Sequence, residues 1–395
     1  MNKALKTHPS KTSLVIVGPL PPPDYGQSLS FKMLTEGLEE RNIHHTVVNI
    51  SSKVTSPGEI AFFRRTVEYF YILGIYLCKI CLGNKTVYIT IAQSRQGFYR
   101  DFFMIWFAYL FRLRIVLHLK GGNFKNFYLG QSLWFKRMIK VTLRRADSIL
   151  VLGRRLRCMF DFEPGLTEKI HVVPNGLPFR HIDYPAAKSL PDPLEKNARI
   201  RILYLSNLIE SKGYFDLLAA IKTLNDRNIR VRCHFCGNFF TSFDDKKIKD
   251  ADHARQLFEN FVDKHGLQKE IKLVGHVSGE EKIRELAESH FFVLPTRYAN
   301  EGQPVSIIEA MAFGNVVIST DYRAIPEMVI HEKTGIIVPF QDPESIANSI
   351  ERYVRLPDRY HELSRQSILR FQKFFTREAH LNKIIPLLTT GLSNN

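Results

Sequence analysis

The sequence predicts an α/β fold carried by two parallel-sheet domains in one chain of 395 residues. Three observations predict it. Apolar runs of strand length alternate with helical patterns along most of the chain, and such alternation requires a parallel sheet. The length is sufficient for two domains. Residues 177–198 then interrupt the alternation with Pro178, Pro185, Pro191 and Pro193 among Asp, Lys and Asn, the composition of a linker. The expected division is a first domain over residues 1–180, a linker over 181–198 and a second domain over 199–375.

The first domain opens with the apolar run Ser13–Gly18, a short buried strand. A Pro-rich loop, Pro19–Gln27, leads into a helical pattern over Ser28–Arg41. Strand, Gly-bearing loop and helix form the opening unit of a nucleotide-type fold. There is no G-x-G-x-x-G, so the dinucleotide fingerprint is missing. Strands follow at His45–Ile50, Thr86–Thr90, Arg114–Lys120, Ser148–Leu152 and Lys169–Val173, with helices at Ile60–Cys81 and Phe98–Phe111. His118 stands near the C-terminal end of its strand, the edge where α/β sites form, although a hydrogen-bonded core histidine fits the same position. Pro174-Asn175-Gly176 makes a turn whose Asn and Gly both tolerate positive φ.

The second domain starts at Arg199 with RIRILYLSN, an apolar strand, then Leu208–Gly213 and a helix from Tyr214. Further strands are expected at Arg230–Gly237, Ile271–Val277, His290–Leu294, Val316–Asp321 and Gly335–Pro339. Asn238–Lys269 holds one amphipathic helix, and helices follow at Glu280–Ser289, around Glu327 and from Pro343 to the end. No internal repeat or low-complexity tract interrupts the series.

Composition narrows the partners. Hydrophobic content of 45% and charged content of 24% describe an ordinary globular protein. A formal charge of +16 points to nucleic acid, an anionic membrane surface or anionic substrates. From His118 to Phe160 the only acidic residue is Asp147, against ten Lys and Arg interleaved with Phe124, Phe127, Tyr128, Trp134 and Phe135. That mixture suits an anionic lipid surface. No nucleic-acid module signature is present, so no nucleic-acid partner is expected. The uncharged aromatic runs Tyr69–Cys78 and Phe102–Phe111 are too short to cross a bilayer. They read either as core helices or as interfacial ones. Residues 1–12 carry no apolar targeting core.

Cys78 and Cys81 lie in an apolar helical stretch and read as core, while Cys233 and Cys236 lie in a strand whose i and i+3 side chains face opposite ways. Neither pair is expected to hold a metal, and an odd total of 5 cysteines suggests free thiols in a reducing compartment.

The chemistry concentrates between Leu294 and Ala312, LPTRYANEGQPVSIIEAMA. A strand ends at Pro295, and a polar loop follows with Asn300, Glu301 and Gly302 at its tip. Pro304 is expected where the first turn of the helix Val305–Phe313 begins, a place that tolerates a missing N–H. Glu309 sits among Ile307, Ile308, Ala310 and Met311, and a carboxylate there needs a partner: an internal Arg or a ligand. A Glu-Gly loop at a strand's C-terminal end, followed by a helix N-terminus, is how α/β proteins present a ligand site. Free N–H groups there suit an anion and two carboxylates suit hydroxyls. Phosphate together with hydroxyls points to a sugar nucleotide.

Glu301 and Glu309, separated by seven residues within EGQPVSIIEAMA, resemble the E-x7-E signature of retaining glycosyltransferases of the GT-B fold, the large family numbered 4. The resemblance runs from about Leu14 to the C-terminal helices and is strongest from Ile200 to Pro339. It implies two Rossmann-like domains facing across a cleft, with the final helix, 376–395, packing back on the first. It implies a hexosyl- or other glycosyltransferase that moves a sugar to an acceptor hydroxyl with retention.

Residue by residue, the resemblance implies that Glu301 orients the donor sugar and Glu309 accepts hydrogen bonds from the ribose. Lys212 and the helix N-terminus at Gly302, Gln303, Pro304 and Val305 would stabilise charge on the leaving diphosphate. A cation such as Lys212 before a helix start opposes the macrodipole unless an anion sits there. The family's partner Arg is replaced by Asn207, for which Arg297 is the compensating candidate. Gly275 borders the nucleobase, His118 matches a His at the donor site, and Gly26 stands where the family often has a Gly-Gly pair.

The expected partners are a UDP- or GDP-linked donor, a lipid-linked saccharide acceptor and an anionic membrane surface. The expected location is cytoplasmic, peripheral on the inner face of the cell membrane. No cofactor or metal is expected, the nucleotide sugar being a substrate. A hydrolase pair is rejected because one carboxylate lies in the helix behind the loop. A sugar-nucleotide epimerase and a non-catalytic membrane-surface binder remain as alternatives.

Overall fold

A computed structural model describes residues 14–22, 25–51, 59–81, 85–178, 187–191, 199–245 and 248–390, with only the backbone of 59–66. The N-terminal residues and most of the expected linker, apart from 187–191, lie outside the described residues. The chain divides into two compact units, Met1–Pro178 with Arg377–Asn395, and Phe179–Thr376.

The first unit contains β1 (Leu14–Gly18), α1 (Gly26–Glu40), β2 (His45–Asn49), α2 (Glu59–Ile80), β3 (Thr86–Thr90), α3 (Arg95–Leu110), β4 (Arg114–Leu119), α4 (Phe124–Leu129), α5 (Leu133–Leu143), β5 (Ser148–Val151) and β6 (Ile170–Val172). Its sheet is six-stranded in the order β2-β1-β3-β4-β5-β6, and every pairing is parallel. β1, β3 and β5 are buried along their whole length, as expected of strands covered on both faces.

Right-handed crossovers set the layers. α1 packs with the last helix, α13 (Arg377–Thr389), which contributes Leu381, Ile384, Ile385 and Leu388 to one core cluster with Leu14, Ile16, Phe31, Tyr88 and Val116. α2 packs on α3, and α3 on α5, in the layer on the opposite face.

The second unit contains β7 (Ile200–Leu205), α6 (Tyr214–Asp226), β8 (Val231–Cys236), α7 (Ala251–Lys264), β9 (Ile271–Gly275), α8 (Gly279–Glu288), β10 (Phe291–Leu294), α9 (Val305–Ala312), β11 (Val316–Thr320), α10 (Ile325–Met328), β12 (Gly335–Val338), α11 (Pro343–Val354) and α12 (Pro357–Phe374). Its parallel sheet has the order β12-β11-β10-β7-β8-β9. The chain builds outward from β7 to β9, returns to the centre at β10 and builds the other way. The order therefore reverses between β7 and β10, and ligands of open α/β sheets bind beyond the carboxyl ends of the strands at such a point.

Several expectations are corrected. Cys78 and Cys81 are exposed rather than core. Ile72, Tyr76 and Ile80 form the inward i, i+4 series of α2, which turns positions 78 and 81 outward. α1 begins at Gly26, two residues early, because the Ser28 hydroxyl accepts from the Tyr25 N–H and donates to its carbonyl. The basic aromatic stretch after β4 folds into α4 and α5, which periodicity had not marked. Neither Asn175 nor Gly176 uses the positive φ open to it. Asn175 is instead buried as a hydrogen-bond acceptor.

Candidate active site

The loops after β7 and β10 meet at the reversal point of the second sheet. The β7 loop ends in a single tight helical turn, Glu210–Lys212, closed by Gly213 at φ +79°. A Cβ at Gly213 would lie 2.4 Å from the carbonyl oxygen of Pro295, so only glycine permits this approach. The Arg297 N–H donates to the Ser211 carbonyl at 2.7 Å and ties the two loops together.

The β10 loop is fastened by its neighbours. The Thr320 hydroxyl donates to the Thr296 carbonyl at 2.5 Å, the Asp244 carboxylate accepts from the Ala299 N–H at 3.2 Å, and Arg323 donates to the Ala299 carbonyl at 3.4 Å. Within the loop the Glu301 N–H donates to the Tyr298 carbonyl at 2.9 Å. Elements from β7, β8 and β11 thus position one carboxylate.

That carboxylate faces Lys212. Lys212 Nζ lies 3.6 Å from Glu301 Oε2, donates to Ser206 Oγ at 2.9 Å and sits 5.2 Å from the centre of the Tyr298 ring. Both side chains are mostly buried, 16% and 12% exposed. The ion pair is too long for a hydrogen bond, and Glu301 Oε2 has no hydrogen-bond partner among the described residues. A buried carboxylate oxygen in that condition is able to accept from a ligand hydroxyl.

α9 begins one residue later than its Pro. Pro304 occupies the cap position in an extended conformation, φ −60° and ψ 117°, rather than the first turn. No side chain caps α9. Glu309, one turn on, is buried, and its Oε1 accepts from Lys282 Nζ of α8 at 2.6 Å. The partner is a lysine from a neighbouring helix and not the arginine considered from sequence. Lys282 gave no signal in the sequence, because α8, GEEKIRELAE, reads as an ordinary charged amphipathic helix. Ser206 and Tyr298 were also missed, since each matters only through the fold that brings it to Lys212.

The remaining second-unit candidates lie around this pair. Arg297 stands beside the Lys212 turn with its guanidinium 3.9 Å from Glu210. Asn207 is exposed, and its carbonyl accepts from the Tyr204 hydroxyl at 3.2 Å. Gln303 is buried and Gly275 adopts φ +87° at the end of β9. Asp216, in the first turn of α6, has its carboxyl pushed up to about 6 by burial, against the pull of Arg297.

Gly26 and His118 belong to the first unit. Gly26 opens α1. His118 is fully buried on β4, its Nδ1 2.8 Å from the Tyr88 hydroxyl and its Nε2 without a partner among the described residues. Burial, then the charges of Lys120 and His380, hold its pKa well below the usual range. Among the described residues no group of three or more His, Cys, Asp and Glu side chains is placed to hold a metal ion.

Comparison with known proteins adds independent findings. Residues 187–370 match the family described as glycosyl transferases group 1. The chain is 30% identical over 315 residues to the amylovoran biosynthesis glycosyltransferase AmsK of Erwinia amylovora, covering 75% of this chain and 70% of that protein. It is 25% identical over 193 residues to the putative colanic acid biosynthesis glycosyltransferase WcaL of Escherichia coli K12, covering 48% of this chain and 43% of that one. In fold it is similar to Anabaena Alr3699/HepE, solved in complex with UDP, with a TM-score of 0.68 at 16% identity over 96% of this chain and 100% of that one. The α/β fold of the GT-B class stands as expected. The chain belongs to the group 1 glycosyltransferases and is a transferase enzyme.

Proposed function

We propose that the protein is a retaining glycosyltransferase of family 4 that moves a sugar from a UDP- or GDP-linked donor to a lipid-linked saccharide in the assembly of a bacterial surface polysaccharide such as capsule, O-antigen or lipopolysaccharide. The observation that carries this reading is the Glu301–Lys212 pair at the β7/β10 reversal point, with an unpartnered carboxylate oxygen on Glu301. Glu301 accepts from hydroxyls of the donor sugar. Lys212 and the uncapped first turn of α9 take up negative charge that develops on the leaving diphosphate. These charges serve in place of a metal ion. Glu309, held by Lys282, turns toward the ribose. Asn207 supplies only neutral hydrogen bonding, and Arg297 is near enough to share the diphosphate once it leaves Glu210. The names of AmsK and WcaL, from amylovoran and colanic acid biosynthesis, support the polysaccharide setting, and the UDP complex of HepE supports a nucleotide-linked donor. The comparisons do not favour the epimerase or the non-catalytic reading.

The acceptor side of the proposal rests on the helical layer of the first unit. Phe70 and Tyr71 of α2, Phe103 and Leu110 of α3, and Leu133 and Trp134 of α5 are all exposed, Trp134 by 64%. Arg112, Arg144 and Arg145 stand with Leu110 around one pocket at the end of α3, Arg145 lying 4.3 Å from the Tyr109 ring centre. An aromatic, cationic surface of this kind suits the interface of an anionic bilayer. Among the described residues no helix is long and apolar enough to cross a membrane, which fits peripheral attachment.

The test is direct. The protein is incubated with a panel of UDP- and GDP-sugars and a polyprenyl-diphosphate saccharide, and products are resolved by mass spectrometry and NMR. Transfer with the donor's anomeric configuration kept is the expected result. Transfer with inversion contradicts the family and mechanism assigned, and interconversion of the donor without acceptor contradicts the reaction class.

A further inference from the structure

The first unit carries a second, unassigned cation at the edge of its own sheet. Lys120 directly follows β4. Its Nζ donates to Ser30 Oγ of α1 at 2.9 Å and to Asn175 Oδ1, in the turn after β6, at 3.2 Å. Both acceptors are neutral and buried. Among the described residues no carboxylate forms an ion pair with it. An ammonium has three N–H donors, so one is left over.

Lys188 of the second unit makes the comparison clear. It is also a largely buried lysine whose pKa is pushed down to about 7, but its Nζ donates to three acceptors: the Leu286 and Ser289 carbonyls and Asn315 Oδ1. Lys188 is a finished structural tie, whereas Lys120 is not. Lys120 also stands where a ligand would be met. Strand order in the first sheet reverses between β1 and β3, and Lys120 follows β4, beside β3, at the carboxyl edge. Gly121 and Gly122 come next; Gly121 packs against the Gln93 side chain, which also accepts from the Asn123 N–H, and Gly122 is buried. His118, two residues earlier on the same face of β4, is fully buried and cannot meet a ligand without rearrangement.

We propose that Lys120 is the substrate-contacting cation of the first unit, donating its remaining N–H to an oxygen of a diphosphate. The diphosphate belongs to the nucleotide-linked donor or to the lipid-linked acceptor. This rests on the reading that the substrates carry diphosphates.

Two features support it. A cation held by neutral groups alone has an unmet need for an anion, and anions bind such sites through charge-assisted hydrogen bonds. Burial also pushes the Lys120 pKa down to about 7. Among the described residues its titratable neighbours are His118 on β4 and His380 on α13, beside which lie Tyr88 and Lys383, and its hydrogen-bond partners from α1 and the β6 turn are the neutral Ser30 and Asn175. His380 is held down to about 3 and His118 well below 6.5, while burial raises the Tyr88 hydroxyl above its ordinary value. None of these three changes charge between pH 6.5 and 9. Lys120 does, and an anion that needs its charge binds more weakly as pH rises through that range.

The sign of the stability effect is distinctive. The folded-state pKa of Lys120 lies below that of the unfolded chain, so between about 7 and the ordinary value the unfolded state holds the extra proton. The ammonium therefore costs stability near neutral pH, and an apolar side chain of similar length relieves that cost.

Calorimetric titration with UDP, GDP and farnesyl diphosphate is run on the full chain, on Lys120→Met, on Lys120→Arg and on Glu309→Gln, at pH 6.5 and 8.5, with melting temperatures recorded. The expected result is that Lys120→Met loses about tenfold to a hundredfold in affinity for one diphosphate at pH 6.5, with an unchanged or higher melting temperature. Lys120→Arg keeps binding and removes the weakening at pH 8.5. Loss confined to UDP or GDP assigns the donor, and loss confined to farnesyl diphosphate assigns the lipid. If Glu309→Gln weakens nucleotide binding while Lys120→Met alters no affinity, the Lys120 proposal is overturned and the enzyme assignment stands. If wild type binds none of the three, both fall. A Lys120→Met variant that melts lower, with Lys120→Arg binding as wild type at both pH values and no loss of the high-pH weakening, marks a structural lysine and also overturns it.

Discussion

At the scale of single residues, Lys212 and Glu301 approach to 3.6 Å without completing a hydrogen bond. Such a pair is poised for a third party. Replacing Lys212 with Met removes a preorganised cation from the leaving group, and kcat is expected to fall by about 10²- to 10³-fold, the range for loss of one electrostatic stabiliser. Steady-state kinetics on the donor identified above check this. Lys282 has a different role, since it holds Glu309 and does not carry the charge. Lys282→Met leaves a mostly buried carboxylate unpaired and is expected to cost about 1–3 kcal/mol of stability, read as a lower denaturant midpoint. The two glutamates were legible in the sequence because their spacing is set by one loop and one helix turn. Lys282 was not, because its meaning depends on α8 packing near α9, which no local pattern encodes.

A buried histidine gives a pH dependence at the same scale. His380 is buried, its ring N–H at Nδ1 donating to the Pro174 carbonyl at 2.6 Å, and its pKa is held down to about 3 mainly by burial. Below the ordinary histidine pKa the unfolded chain takes up a proton that the folded state refuses. Stability is thus fully present above about 6.5 and is lost as pH falls toward 3. The melting temperature is expected to drop between pH 7 and 4, and to drop less in His380→Gln. An equal drop in the variant contradicts that assignment.

At the scale of elements, α13 shows how a late segment completes an early fold. Leu381 is fully buried and packs against Gly37 of α1, where a side chain would collide with it. Leu381→Ala is expected to cost about 2–5 kcal/mol, checked by chemical denaturation. The helical layer of α2, α3 and α5 faces outward with its aromatic residues. Its sequence left core and interfacial readings open because aromatic content ran around the helices without a clean polar face. The fold supplies the answer residue by residue: Phe98, Met104 and Ile105 point in, while Phe103 and Leu110 point out. Replacing Phe70, Leu110 and Trp134 together with Ser is expected to abolish salt-sensitive sedimentation with phosphatidylglycerol vesicles. Unchanged sedimentation contradicts the membrane face. α4 and α5 escaped the sequence reading because basic residues hid the short inward series Phe135, Ile139 and Leu143.

At the scale of the molecule, two six-stranded parallel sheets were legible because their inner strands are apolar runs, buried along most of their length, and all the strands are separated by helical patterns. Strand order was not legible, since any right-handed crossover satisfies the same pattern. Yet order decides where the chemistry lies. Reversal between β7 and β10 brings Lys212 and Glu301 together from positions 89 residues apart. The central claim, that this point binds a sugar nucleotide, is tested most directly by a thermal-shift panel of UDP, GDP, ADP, TDP and CMP on wild type and Glu309→Ala. A ligand of the native state raises its melting temperature by mass action. The expected result is that UDP or GDP shifts wild type and that the shift shrinks in Glu309→Ala. Absence of any shift in wild type at millimolar nucleotide, or an undiminished shift in the variant, contradicts the assignment.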